Sequence, residues 1–132
     1  MRKLQLIILS ITLFLASPGF AQLITLDPTF PTDQDAVIVT FNAALGSGGL
    51  EGYSGDVYAH TGVITNNSNS GSDWKYVKAA WNENIPECKM TNKGGDIWEL
   101  NISPSIREYY GVPEGESILQ LAFVFRSADG SL

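Results

Sequence analysis

The chain has 132 residues and a net charge of −6, with eight Lys or Arg residues against 14 Asp or Glu residues. Its length excludes a complete (β/α)₈ barrel, which needs roughly 200 residues or more. The acidic balance disfavours a nucleic-acid partner, because binding to phosphate groups requires a surface rich in Lys and Arg.

The first 21 residues have the pattern of a signal peptide. Arg2 and Lys3 precede an apolar run at positions 4–16, and Ala21 ends a small-residue cleavage motif. The apolar run is too short to cross a bilayer, which takes about 20 residues. We therefore expect export to the periplasm, the cell surface or the medium, no membrane span, and a single mature module over residues 22–132.

Short alternating segments separated by turn residues predict that this module is built from β-strands. The first clear strand covers 36–42, and a glycine-rich loop follows at 46–55. A second strand at 56–60 places Tyr58 and His60 on one face by the two-residue period. Segment 74–81 is also predicted to be extended, and short strands are predicted at 88–91 and 97–102.

The only helix is predicted over 103–111. Ser103 is the expected N-cap, Pro104 the first helical residue, and Gly111 the end. A last strand at 118–126 has apolar side chains at alternate positions, which predicts one buried face made of Leu119, Leu121, Phe123 and Phe125.

These elements predict an all-β fold, an antiparallel β-sandwich of the immunoglobulin or carbohydrate-binding-module type with one short helix. Trp98, Leu100 and Ile102 should form a buried face opposite residues of the strands at 36–42 and 118–126, namely Val39, Phe41, Phe123 and Phe125. Because the last strand needs a neighbour at its edge, we expect the module to be the N-terminal part of a longer protein, and a monomer.

Five aromatic or imidazole side chains fall within 24 residues and suggest a sugar-binding surface. The C–H faces of sugar rings stack on aromatic rings, and polar groups beside them, such as the amine of Lys75, can bind the hydroxyls. The alternative is that these rings belong to the core. The candidate carbohydrate-binding residues are Tyr58, His60, Trp74, Lys75, Tyr76 and Trp81.

Other chemistry finds little support in the sequence. Cys88 is the only cysteine and His60 the only histidine, so zinc sites of the usual kinds are disfavoured. Cys88 is expected to be an inert, partly buried thiol in a strand. No nucleophile motif is present. We expect no cofactor, no metal site and no enzymatic activity of this chain alone.

Several segments together resemble the N-terminal β-sandwich module of secreted alpha-amylase-type glycoside hydrolases from Bacteroidetes. They are DVYAHTGVIT at 56–65, SDWKYV at 72–77, WEL at 98–100, IREYYGV at 106–112 and LAFVFR at 121–126. More distantly, the chain is similar to starch-binding modules. The resemblance implies a starch or maltooligosaccharide ligand held at His60, Trp74 and Trp81, with hydrolysis carried out by a downstream catalytic domain. The alternatives are an immunoglobulin-like spacer or secretion-associated domain without ligand, and a small protein-binding adhesin.

The leader pattern makes a first testable prediction. N-terminal sequencing of exported protein should begin at Gln22, because cleavage is expected after Ala21. A cytoplasmic protein that retains Met1 would contradict this expectation.

Overall fold

Two antiparallel sheets make up the fold in the computed structural model, which describes residues 21–132. The first sheet has the strand order β1-β2-β5-β4 and the second pairs β3 with β6. One short α-helix lies between β5 and β6, so the predicted all-β sandwich with a short helix is confirmed. The elements are β1 (Ile24–Asp27), β2 (Val37–Asn42), β3 (Val57–Thr65), a 3₁₀ helix (Pro86–Cys88), β4 (Thr91–Gly94), β5 (Ile97–Ile102), α1 (Ile106–Tyr110) and β6 (Ile118–Ser127).

The predicted signal peptide, apart from Ala21, lies outside the described residues. Within residues 21–132, no helix is long and apolar enough to cross a membrane.

Alternate residues of β2 and β5 form one wall of the core. Trp98, Leu100 and Ile102 are almost completely buried, as predicted. Phe41 and Trp98 occupy opposed positions in the register of β2 and β5. Because these strands are neighbours in one sheet, Val39 and Phe41 lie beside the β5 residues and not across the core from them, so that part of the prediction is wrong.

The opposite wall comes from the β3–β6 sheet. Val57, Ala59 and Val63 are buried on the inward face of β3, and Phe125 of β6 stacks on Phe41 with ring centroids 4.2 Å apart. Stacked aromatic pairs add about 0.5–1.5 kcal/mol beyond the apolar area that they bury. The two sheets therefore meet through aromatic as well as aliphatic side chains.

Leu119 does not join the buried face of β6. Ile64 pairs with Gln120 and Thr65 with Ile118, so Leu119 is the extra residue of a β-bulge. The bulge reverses the alternation, and Ile118 packs against the core while Leu119 is 61% exposed. Strict alternation along the sequence could not predict this shift.

Helix α1 begins later than predicted. Its N-cap is Ser105, whose side chain accepts a hydrogen bond from the Glu108 amide at 3.1 Å. Ser105 and Glu108 have the Ser-x-x-Glu spacing of a capping box, so Ser105 is the better cap. Gly111 ends the helix in the left-handed conformation, as predicted, with φ of 72°.

Two segments predicted as strands are different in the structure. Segment 74–81 forms only an isolated bridge between Lys75 and Val63. Cys88 lies in the 3₁₀ helix and not in a strand, because Pro86 has no amide hydrogen for a strand ladder and fits the first position of a helix. The Cys88 thiol is nevertheless buried.

The burial of Trp98 generates a stability prediction. Trp98→Ala should lower the free energy of unfolding by about 3–5 kcal/mol, the usual range for removing a buried large aromatic side chain. Urea denaturation measures this loss. Phe30→Ala is the matched control, since Phe30 is 91% exposed and its removal should change stability little. A loss below about 1 kcal/mol for Trp98→Ala would contradict its place in the core.

Candidate functional site

The outer face of the β3–β6 sheet carries the candidate residues. His60 lies opposite Val124 in the strand register, and Tyr58 lies opposite Arg126. The irregular segment 74–90 runs along the free side of β3. The amide of Lys75 donates to the carbonyl of Val63 at 2.8 Å, and the amide of Lys78 donates to that of Thr61 at 2.9 Å. These bonds hold the segment against β3.

Trp74, His60 and Trp81 form a contiguous row of rings, which we call the aromatic row. The imidazole of His60 stacks on the indole of Trp74, with centroids 5.8 Å apart and planes 28° apart. The Trp81 ring also contacts His60, edge-on, with ring centroids 5.3 Å apart and planes 72° apart. Trp74 is half-buried and Trp81 is 45% exposed. The row therefore presents aromatic surface to solvent, with His60 at its centre.

Gly62 allows this arrangement because it has no side chain. A Cβ atom at Gly62 would lie 3.0 Å from the carbonyl oxygen of Lys75 and 3.4 Å from the Cβ of Trp74. Backbone atoms cannot move aside as the end of a flexible side chain can. A larger residue would therefore push the segment away from β3 and separate Trp74 from His60.

Arg126 anchors the other end of the aromatic row. Its guanidinium lies 5.6 Å from the ring centre of Trp81 and 5.6 Å from that of Tyr58. It donates to the Glu83 carbonyl at 2.9 Å and to the Asn84 side-chain oxygen at 2.9 Å. These contacts fix the loop that carries Trp81.

This guanidinium is a buried cation. Arg126 is 2% exposed, and no carboxylate among residues 21–132 forms an ion pair with it. Burying a charge is costly unless other groups replace its hydration. Backbone carbonyls, the Asn84 side-chain oxygen and the two ring faces replace part of it, although the Arg126 Nε has no hydrogen-bond partner among the described residues.

The same cation affects His60. Burial lowers the pKa of His60 below its ordinary value of 6.5, and repulsion from Arg126 lowers this pKa further. A backbone hydrogen bond with Ala79 partly offsets both effects. The imidazole is therefore neutral near pH 7. Its one N–H donates to the Ala79 backbone, which leaves the other ring nitrogen as a hydrogen-bond acceptor.

The structure does not bring every predicted site residue to the aromatic row. Tyr58 shares the strand face of His60 but is only 9% exposed, because the Arg126 guanidinium covers its ring. Tyr76 turns away: its hydroxyl donates to Glu116, and its ring packs against the core. Lys75 stays near the surface in an ion pair with Asp73 at 3.1 Å.

Two of the residues that build the site were not predicted from the sequence. Arg126 ends an apolar strand, so the sequence suggests a solvent-exposed strand end. Its position two residues after Val124 places it on the outer face of the sheet. Gly62 gives a signal only in context, as a lone glycine inside a strand, which often marks a close approach of another backbone.

Other potentially reactive groups give no second site. Burial raises the pKa of the Cys88 thiol, which keeps the nucleophilic thiolate scarce. In the part of the chain that the structure describes, no group of three His, Cys, Asp or Glu side chains could hold a metal ion.

A family profile matches residues 24–132, which is nearly the whole described chain and includes the aromatic row. The chain belongs to this family. Its description is a domain of unknown function, DUF8578. No curated protein matches the sequence. Membership of DUF8578 therefore identifies a domain shared with other proteins and assigns no function to it. The geometry of the aromatic row is the basis for the function proposed below.

The environment of His60 makes a pH-dependent prediction. Its folded-state pKa lies below 6.5, so the unfolded chain binds the proton more readily and acid favours unfolding. The contribution of His60 to stability is complete above about pH 6.5 and is lost as the pH falls toward the folded pKa. Urea denaturation at pH 7, 6 and 5 should give a steeper loss for the wild type than for His60→Gln.

Asp73 and Glu116, which lie near the aromatic row, interfere little over this range, because their pKa values are lowered from ordinary values that already lie below 5. The leading causes are the hydrogen bonds that Asp73 accepts from the Asn69 backbone and Glu116 from Thr65. Parallel pH profiles for the two proteins would contradict the assignment to His60.

Proposed function

We propose that this chain is a non-catalytic carbohydrate-binding module that recognises α-glucan, as starch or maltooligosaccharide, through the aromatic row. The observation that carries the proposal is the exposure of Trp81 beside His60 and Trp74 on one solvent-facing surface. An indole that is nearly half exposed and held in place by contact with a buried cation supports the proposal, because it offers a preformed surface for stacking.

The chemistry of the aromatic row suits a neutral sugar. Apolar C–H faces of a pyranose can stack on the indole of Trp81, while its hydroxyls reach polar groups beside the rings. The neutral imidazole of His60 and the ion pair of Lys75 with Asp73 supply such donors and acceptors. Stacking would provide most of the affinity, and the polar groups would orient the sugar.

The choice of an α-glucan rests on the resemblance to starch-binding modules. The Trp81 and His60 planes meet at 72°, so these two rings do not form one flat platform of the kind that suits a ribbon-like cellulose chain. This tilt is compatible with a curved α-glucan chain.

The biological setting belongs to the same proposal. The module would be exported and would hold an attached alpha-amylase-type glycoside hydrolase close to its polymer. Binding by the module alone would be weak, because a short sugar segment gains little over the cost of its ordering. Tethering would still raise the effective substrate concentration for the enzyme.

Affinity electrophoresis with starch or cellulose in the gel tests the proposal. Starch should retard the wild type and cellulose should not. Trp81→Ala should abolish the retardation because it removes the exposed stacking surface, and Trp81→Phe should restore part of it. Trp74→Ala and His60→Ala should weaken retardation. Phe30→Ala is the control, an equally simple loss of an exposed ring away from the aromatic row, and should migrate like the wild type.

Thermal melting separates binding from stability. A destabilisation of 1 kcal/mol lowers the melting temperature of a domain of this size by roughly 4–8 °C. The melting temperature of Trp81→Ala should differ from that of the wild type by no more than roughly 4–8 °C, while its retardation by starch is lost. If starch does not retard the wild type, the binding proposal fails and a spacer without ligand takes its place.

A further inference from the structure

The irregular segment beside β3 contains one residue more than regular pairing would allow. The amide of Val63 donates to the carbonyl of Lys75 at 2.9 Å, and the amide of Lys75 donates back to the carbonyl of Val63. Regular antiparallel pairing would then place Val77 opposite Thr61. The amide of Lys78 donates to the Thr61 carbonyl instead, at 2.9 Å. The extra residue makes this part of the segment a β-bulge.

Tyr76 lies within the bulge and has a backbone conformation that a bulky residue rarely adopts. Its φ is 51°, in the left-handed region where glycine is the usual residue of such a bulge. A positive φ at a large side chain is an outlier, and its strain persists only where the surrounding structure holds it. The contacts of the Tyr76 side chain must therefore stabilise the bulge.

The Tyr76 side chain is held at both ends. Its ring packs against the core, and its hydroxyl donates to Oε2 of Glu116. The other carboxylate oxygen of Glu116 accepts from the Thr65 hydroxyl at 2.6 Å. Hydrogen bonds from Thr65 and then Tyr76 lower the pKa of the Glu116 carboxyl, so it is ionised at neutral pH. Hydrogen bonds to an ionised acceptor are roughly twice as strong as those between neutral groups.

Glu116 is itself fixed in place. Its backbone carbonyl accepts from the buried guanidinium of Arg107 at 3.0 Å. The amide of the next residue, Ser117, donates to the side-chain oxygen of Asn66 at 2.8 Å. A carboxylate on a mobile loop would give Tyr76 little support, whereas the backbone of Glu116 is held on both sides.

The bulge sets the positions of two groups that contact His60. Trp74, two residues before Tyr76, stacks on the imidazole. The backbone of Ala79, three residues after Tyr76, forms a hydrogen bond with the same imidazole. Loss of the bulge would shift Ala79 along β3 relative to Trp74, and the two contacts with His60 could not both persist.

We propose that Glu116 is a positioning residue of the aromatic row. Its carboxylate holds Tyr76 in the left-handed conformation, and the resulting bulge keeps Trp74 stacked on His60. Glu116 acts through Tyr76 and does not itself contact the sugar. Its effect on sugar binding rests on the function proposed above, whereas its effect on His60 requires no ligand.

NMR titration of His60, in protein prepared without a histidine tag, tests this inference. His60 is the only histidine, so its ring signals are unambiguous. In Glu116→Ala these signals should shift, because stacking on Trp74 is lost. The pKa of His60 should rise toward 6.5, because the imidazole becomes less buried. Tyr76→Phe removes only the hydroxyl and should act in the same direction. Glu116→Gln keeps one acceptor oxygen and should restore part of the wild-type titration.

Glu114→Ala is the matched control, because it removes the same charge from an exposed position two residues earlier. It should leave the ring signals in place. Loss of a negative charge alone would lower the pKa of His60, so a rise reports the loss of burial. The double variant Glu116→Ala with Tyr76→Phe should change the titration no more than either single variant, since both remove one shared contact.

An unchanged His60 titration in Glu116→Ala and Tyr76→Phe would overturn the inference. Tyr76→Phe, the milder change, decides the question if Glu116→Ala fails to fold. Glu116→Ala should also weaken starch binding by roughly tenfold, as expected for the loss of a hydrogen bond to a charged group. If starch does not retard the wild type, the function proposed above fails, while a changed His60 titration still supports the positioning role.

Discussion

The guanidinium of Arg126 is the constraint on which the outer surface of this domain depends. Once the second sheet has buried this cation, its hydrogen bonds must be satisfied within the protein. The carbonyl of Glu83 and the side chain of Asn84 accept two of these hydrogen bonds. Moving the loop that bears them away from β6 would therefore break two hydrogen bonds of a buried charge. Trp81 belongs to this loop and therefore has one position. His60 then fits between Trp81 and Trp74, and repulsion from the same cation helps to keep it neutral.

The sequence predicted which side of each strand faces the core far better than it predicted what covers the other side. A period of two residues assigns Trp98 to the core and places Tyr58 and His60 on one common strand face, and both features are present in the structure. The same period says nothing about the segment that lies over an outer face. It therefore did not predict that Tyr58 is covered by Arg126, or that Tyr76 turns toward Glu116. These contacts join residues 40 or more positions apart, and no local pattern contains them.

The two faces of β6 belong to different parts of the domain. Side chains at even positions of β6, such as Val124 and Arg126, belong to the outer face beside the aromatic row. Side chains at odd positions, such as Phe123 and Phe125, pack against the core. One strand therefore supplies part of the inner wall and part of the surface beside the aromatic row.

The pairing of β3 with β6 also has a consequence for the order of folding. The hydroxyl of Thr61 reaches the carbonyl of Ala122, 61 positions later in the chain. During synthesis β3 emerges long before its partner, and one backbone edge of β3 has no strand beside it until β6 follows. Contacts between distant segments make folding slow, because the loop between them must close first. The second sheet therefore completes only when the last strand of the described chain has formed, and until then β3 presents an unpaired strand edge.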